Sequence, residues 1–272
     1  MMRFLIIGLL VTVVYGSGCN SQNANKNTTT GEKASTQNSA PAYGSDHSPA
    51  YGVFDIKSAD GVVLVGSMYP SEIPNSPAIL LLHQWESDRH SFDEFAKRMQ
   101  AKGFNVAAVD GRGFGESVKT ADGKTVAPER TDAAVKAMLG DVGAAFEFLS
   151  KQKNVDPARV GIVGASYGSS LAIIYAADNP KVKAVALLSP GLNYFGNMAT
   201  EPAVTKYGNR PLLLIAAQDD AESADAVKKL DSVGSNDKYQ MKIYDKGGHG
   251  TGIFSAKVGL EDLLEEFLSK NL

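Results

Sequence analysis

A single cysteine in 272 residues, Cys19, excludes a disulfide, a thiolate metal cluster and a thiol nucleophile from the folded part of the chain. Histidine is also scarce, at four residues, and no His, Asp and Glu grouping has metal-ligand spacing, so neither a metal nor an organic cofactor is expected. A basic excess is missing: 27 Lys and Arg against 30 Asp and Glu give a net charge of −3, which offers no cationic face for nucleic acid. The apolar run at residues 4–14 falls short of the roughly 20 residues that span a bilayer comfortably. What is present, 43% hydrophobic and 21% charged residues, fits a soluble globular chain with one core. Its chemistry must rest on oxygen and nitrogen groups.

Residues 1–19 place Arg3 before the apolar run and small residues after it, the layout of an export signal. Gly16-Ser17-Gly18-Cys19 resembles a bacterial lipobox, with Gly16 where leucine is usual, and predicts lipidation at Cys19. A plain secretory signal with an incidental cysteine is the alternative. Residues 20–49 are rich in Asn, Thr, Ser, Gln and Gly and too poor in apolar surface to fold, so they read as a polar tether. An anchor followed by a leash predicts an exported protein held to a membrane in the periplasm or at the cell surface. His47 falls on that tether and is given no role.

From residue 50 to 272 the pattern is that of one α/β domain. Two β-like runs, 51–56 and 62–69, flank Ala59-Asp60-Gly61 and predict an antiparallel hairpin. Continuous apolar runs at 78–82, 106–109, 160–163, 182–188 and 212–217 predict strands buried on both faces of a parallel sheet. A last strand is expected at 239–244. Helical patterns at 92–102, 133–151, 167–177, 224–233 and about 256–269 lie between and after them. The expected fold is therefore a mostly parallel sheet with an N-terminal antiparallel hairpin, helices on both faces, and a site at the carboxyl ends of the strands. The 189–210 connection is too short for a cap domain, although Tyr194, Phe195 and Met198 suit a short lid or pocket wall.

Gly164-Ala165-Ser166-Tyr167-Gly168 is a G-x-S-x-G sequence between a predicted buried strand and a predicted helix. A sharp strand-to-helix turn lifts the serine hydroxyl clear of the sheet and needs small neighbours where chains pass closely. The free N–H groups at the helix start face the place where an oxyanion would form. A serine needs a base to take its proton. His249, in the glycine-flanked loop Gly247-Gly248-His249-Gly250, is the candidate. The predicted strand at 212–217 runs into Asp219 and Asp220, one of which should orient the imidazole, because adjacent side chains on an extended chain point to opposite sides.

These motifs identify a resemblance to the α/β-hydrolase fold, in its dienelactone-hydrolase-like or serine-esterase branch, from about residue 51 to the C-terminus. The resemblance selects Asp220, which follows Ala217, the small residue ending its strand, with two residues between. It also implies that His83-Gln84-Trp85 matches the His-Gly-x oxyanion loop, so that backbone N–H groups of Trp85 and Tyr167 would hold the oxyanion; Gln84 replaces the usual glycine. Asp110-Gly111-Arg112-Gly113-Phe114-Gly115-Glu116-Ser117 resembles a structural turn of these enzymes and lacks the lysine of a phosphate loop. His83 reads as a loop-packing residue and His90 as a surface residue at a helix start. Dienelactone hydrolases proper use cysteine where Ser166 stands, so the expectation is a serine esterase acting on a small-molecule ester through an acyl-enzyme. An acyltransferase or thioesterase on the same three residues, or a surface binding protein retaining the fold, are the rival readings.

Overall fold

Side-chain alternation along each apolar run decides how the sheet is covered. The computed structural model describes residues 51–234 and 237–272; Cys19 with the lipobox-like segment, and the tether at 20–49, lie outside the described residues. The chain begins with β1 (Gly52–Lys57), β2 (Val62–Tyr69) and β3 (Ser76–Leu82), then a short 3-10 turn (Arg89–Phe92), α1 (Asp93–Ala101) and β4 (Asn105–Val109). It continues through β5 (Lys119–Thr120), α2 (Asp132–Ser150), β6 (Val155–Ala165), α3 (Tyr167–Asp178) and β7 (Val182–Leu188). A small hairpin, β8 (Asn193–Tyr194) with β9 (Met198–Ala199), leads into α4 (Thr200–Tyr207). Last come β10 (Leu212–Ala217), α5 (Ala221–Gly234), β11 (Tyr239–Tyr244), α6 (Gly252–Ser255) and α7 (Leu260–Asn271).

The main sheet has the order β1-β2-β4-β3-β6-β7-β10-β11, with β5 on β2. The β1–β2 and β2–β4 pairs are antiparallel, and every pair from β4 to β11 is parallel. Period-two alternation builds two cores. Ala78, Leu80 and Leu82 of β3, with Leu212, Leu214 and Ala216 of β10, face a layer formed by α2, α3, α4 and α5. Ile79 and Leu81, with Leu213, Ile215 and Ala217, face the layer of α1, α6 and α7. This is the α/β-hydrolase arrangement expected from the sequence.

After β3 the chain moves outward to β4, whereas after β6 it moves the other way to β7. The carboxyl ends of β3 and β6 therefore flank a topological switch point, where diverging loops leave a crevice. The loop after β4 is structural. Asp110, fully buried, accepts from Arg89 N (2.7 Å) and Glu116 N (2.8 Å) and pairs with the Arg89 guanidinium, while Ser117 Oγ ties its carbonyl to Val65 N.

One boundary departs from expectation. A helix starting near residue 256 gives way to the single turn α6 and a separate α7 beginning at Leu260. Lys257 (φ 54°) and Gly259 (φ 83°) are left-handed, and that backbone cannot propagate a right-handed helix. Met198 is fully buried in the core and lines no lid.

Candidate active site

The turn between β6 and α3 is as tight as its residues allow. Ser166 sits at φ 53°, ψ −122°, a left-handed conformation that L side chains rarely adopt, and its N–H is held by Leu188 O at 2.8 Å. A side chain on Gly164 would collide with the Gly168 carbonyl, and one on Gly168 would meet the Leu82 and His83 carbonyls within 2.6 Å. The strained serine is thus over-determined by α3 packing closely on β6 and β3, and its hydroxyl stands at the crevice.

Loops from β10 and β11 bring two further groups to it. His249 Nε2 lies 2.7 Å from Ser166 Oγ, and His249 Nδ1 lies 2.7 Å from Asp220 Oδ2. An ionised carboxylate only accepts, so Nδ1 carries the proton and Nε2 is left to accept from the serine hydroxyl. Burial pushes the Asp220 carboxyl up, but hydrogen bonds from Ser223 and His249 prevail and hold it below the usual carboxylate range. The imidazole is 42% exposed and Ser166 6% exposed, so the ring borders solvent while the serine is sheltered.

Asp219 and Asp220 do not lie on an extended strand as expected. They form a turn closed by Asp220 N to Ala217 O (3.0 Å), and both carboxylates serve the same loop. Asp220 takes the imidazole. Asp219 Oδ1 accepts from Gly247 N and Gly248 N, each at 3.0 Å, a role that sequence reasoning missed. Gly248 (φ 68°) and Gly250 (φ 58°) supply the left-handed bends that turn His249 toward the sheet.

Trp85 follows β3 and Tyr167 opens α3, so both stand at the switch point. Among the described residues, neither backbone N–H is used in a hydrogen bond. The Trp85 ring packs edge-on against Tyr167, Phe114 and Phe195, building an aromatic wall beside the Ser166 turn, with the Arg130 guanidinium 4.8 Å above Trp85. Tyr194 donates to Ser189 O at 3.0 Å; burial pushes its phenol up, so it stays protonated. His83 is buried in the loop after β3, and His90 is exposed at a helix start against Asp93 (2.9 Å), the locations expected of them. Among the described residues no three His, Cys, Asp or Glu side chains converge to hold a metal.

The sequence model of the dienelactone hydrolase family matches residues 64–257, more than two thirds of the chain. The chain belongs to this family. Among curated relatives, an uncharacterized protein of Mycobacterium tuberculosis is 32% identical over 136 residues, covering 50% of this chain and 44% of the relative. The thiohydrolase aneE of Aspergillus aculeatus is 27% identical over 141 residues, 52% of this chain and 42% of its own. The matched stretches thus span under half the length of these relatives. Among solved structures, a Pyrococcus furiosus esterase superposes with a TM-score of 0.65 at 18% identity, over 82% of this chain and 93% of that one. A dienelactone hydrolase from Anabaena variabilis gives 0.64 at 18% identity, over 83% and 100%. At such identities these structures speak for the shared fold. Within the dienelactone hydrolase family, this member carries Ser166 at the tip of the β6–α3 turn.

Proposed function

We propose that this member of the dienelactone hydrolase family is a serine hydrolase that cleaves carboxylic esters through an acyl-enzyme. The observation that carries the reading is the unbroken line from Ser166 Oγ through His249 to Asp220, with 2.7 Å at each step. Ser166 Oγ attacks the ester carbonyl while His249 Nε2 takes its proton, and Asp220 stabilises the imidazolium. The N–H groups of Trp85 and Tyr167 receive the oxyanion. The tetrahedral intermediate collapses, His249 returns the proton to the leaving alcohol, and an ester links the acyl group to Ser166. Water, deprotonated by the same imidazole, then releases the acid. No cofactor enters the scheme, and the partner is a small-molecule ester.

A second reading, thioester cleavage or acyl transfer at the same serine, is favoured by the thiohydrolase name of the Aspergillus relative. Matched oxygen esters and thioesters, each with and without an alcohol acceptor, separate the readings by their kcat/KM ratios. The test of both is covalent labelling by a fluorophosphonate. Wild-type protein should take up one probe at Ser166, and Ser166→Ala none; absence of labelling in the wild type would favour a binding protein that keeps the fold. We place this activity outside the cytoplasm, with Cys19 as the lipidated residue and residues 20–49 as the leash, on the strength of the N-terminal sequence pattern.

A further inference from the structure

Gln84 stands where the family resemblance leads one to expect glycine, between His83 and Trp85 on the loop after β3. Its side-chain oxygen accepts twice from one residue: from Thr251 N at 2.7 Å and from Thr251 Oγ1 at 3.0 Å. Thr251 lies two positions beyond His249. The loop is tied at other points too, by Asp219 at Gly247 and Gly248 and by Ser189 Oγ, which accepts from Gly250 N at 2.8 Å. Its anchors come from the ends of β10, β7 and β3, and only the last of these also carries an oxyanion candidate. A side chain at Gly250 would strike the Gln84 amide, so the glycine there leaves room for this tie.

The main chain of Gln84 is fixed as firmly as its side chain. Its carbonyl lies 2.7 Å from His83 Nδ1, and His83 Nε2 accepts from Gly111 N at 2.8 Å. The second bond requires Nε2 to be the bare nitrogen, so Nδ1 carries the proton and donates to Gln84 O. The Gln84 carbonyl and the Trp85 N–H belong to one planar trans peptide group and point in opposite directions. Holding the carbonyl toward His83 therefore aims the Trp85 N–H away from it.

We infer that Gln84 is a positioning residue that holds the His249 loop with its side chain and the Trp85 N–H with its main chain, setting base and oxyanion donor in one geometry about Ser166. This rests on the reading of Ser166 as nucleophile and His249 as base. Neither group needs to touch Gln84 for its loss to matter, because reacting groups displaced by about 1 Å can cost about 100-fold in rate.

The experiment compares Gln84→Ala, Gln84→Glu and Thr251→Val with wild type, using p-nitrophenyl acetate. Gln84→Ala should lower kcat by roughly 10- to 100-fold with little change in KM, since it misplaces groups used in the transition state. Gln84→Glu keeps an oxygen for both Thr251 donors and should recover most of kcat. Its added negative charge favours the imidazolium and should move the acidic limb of the pH–rate profile to higher pH. Thr251→Val removes one donor and should cost less, and adding it to Gln84→Ala should cost little more than Gln84→Ala alone. Hydrogen exchange at the Thr251 amide should quicken in Gln84→Ala. Wild-type kcat in Gln84→Ala, or no recovery and no shifted limb in Gln84→Glu, would overturn the inference. Unchanged Thr251 exchange in Gln84→Ala would overturn it whatever the activity, whereas a wild type inert toward every ester would sink the reading of Ser166 instead. If Gln84→Ala does not fold, the Gln84→Glu profile and the Thr251→Val rate decide.

Discussion

Two carboxylates one position apart act on the His249 loop in different ways, Asp220 through the imidazole and Asp219 through the Gly247 and Gly248 amides. Asp220→Asn replaces an acceptor by an amide that can donate to Nδ1, which favours the tautomer with the proton on Nε2 and removes the lone pair Ser166 needs. The comparable change in a well-studied serine protease costs about 10⁴ in kcat, and a loss of that order is expected here with the fold intact. Asp219→Asn keeps an oxygen for the two amides and should stay close to wild type. Asp219→Ala leaves them without that acceptor, at about 1 kcal/mol per lost hydrogen bond at most, since the site is open to water. Steady-state kinetics on the three variants checks the ordering; an Asp219→Asn loss equal to that of Asp220→Asn would reverse the assignment. Ser166→Ala removes one hydroxyl that faces the crevice and packs into no core, so it should abolish turnover while leaving the unfolding midpoint within a few degrees of wild type. Near-normal turnover in that variant would exclude Ser166 as nucleophile.

At the scale of elements, the site is made by close approach of backbones. Gly168→Ala puts a methyl group against the Leu82 and His83 carbonyls, which belong to β3 and its loop and cannot swing aside as a flexible side chain would. Overpacking of this kind costs about 1–3 kcal/mol, so a lowered unfolding midpoint together with lost activity is expected from thermal melts and assays. An unchanged midpoint would mean that α3 and β3 are not held as closely as described. Most of this architecture was legible in the sequence because strands buried on both faces must be apolar throughout, and a strand, a serine flanked by glycines and a helix in succession leave few alternatives. The carboxyl-end placement of Ser166 and His249 followed from the same logic, whereas the pattern alone left Asp219 and Asp220 open and the family resemblance pointed to Asp220. What escaped was contact between distant positions. Gln84 and Thr251 are 167 residues apart, and neither type in isolation signals a hydrogen bond to the other. The left-handed residues that split α6 from α7 were hidden likewise, since Lys257 carries no mark of its φ.

Across the whole molecule, folding is linked to pH through groups whose proton affinity changes on burial. Burial holds the His83 imidazole below its ordinary value, and this outweighs the pull of the Gln84 carbonyl and of Asp110 and Asp88 toward the charged form. The bonds it makes agree, because Nε2 accepts from Gly111 N and has no room for a second proton. A group with a folded pKa below its unfolded one contributes stability that is present above the unfolded value and is lost as pH falls toward the folded one. For a histidine that loss begins near pH 6.5, well before the carboxylates respond. Asp60, held low by Arg112, and Glu265, held low by Lys102 and Arg98, should add their losses only below about pH 4, whereas Asp141, raised by burial, works the other way and does so above the ordinary carboxylate value. The denaturation free energy should therefore fall in two stages on acidification. Below about pH 6.5 the free energy should start to slope downward, by no more than one proton or about 1.4 kcal/mol per pH unit, and His83→Gln should remove that first stage while keeping an acceptor for Gly111 N and a donor for Gln84 O. Urea titrations at closely spaced pH values on both proteins measure it. A wild-type curve flat from pH 7 to 5, or a first stage that survives in His83→Gln, would show that His83 is not the group that charges.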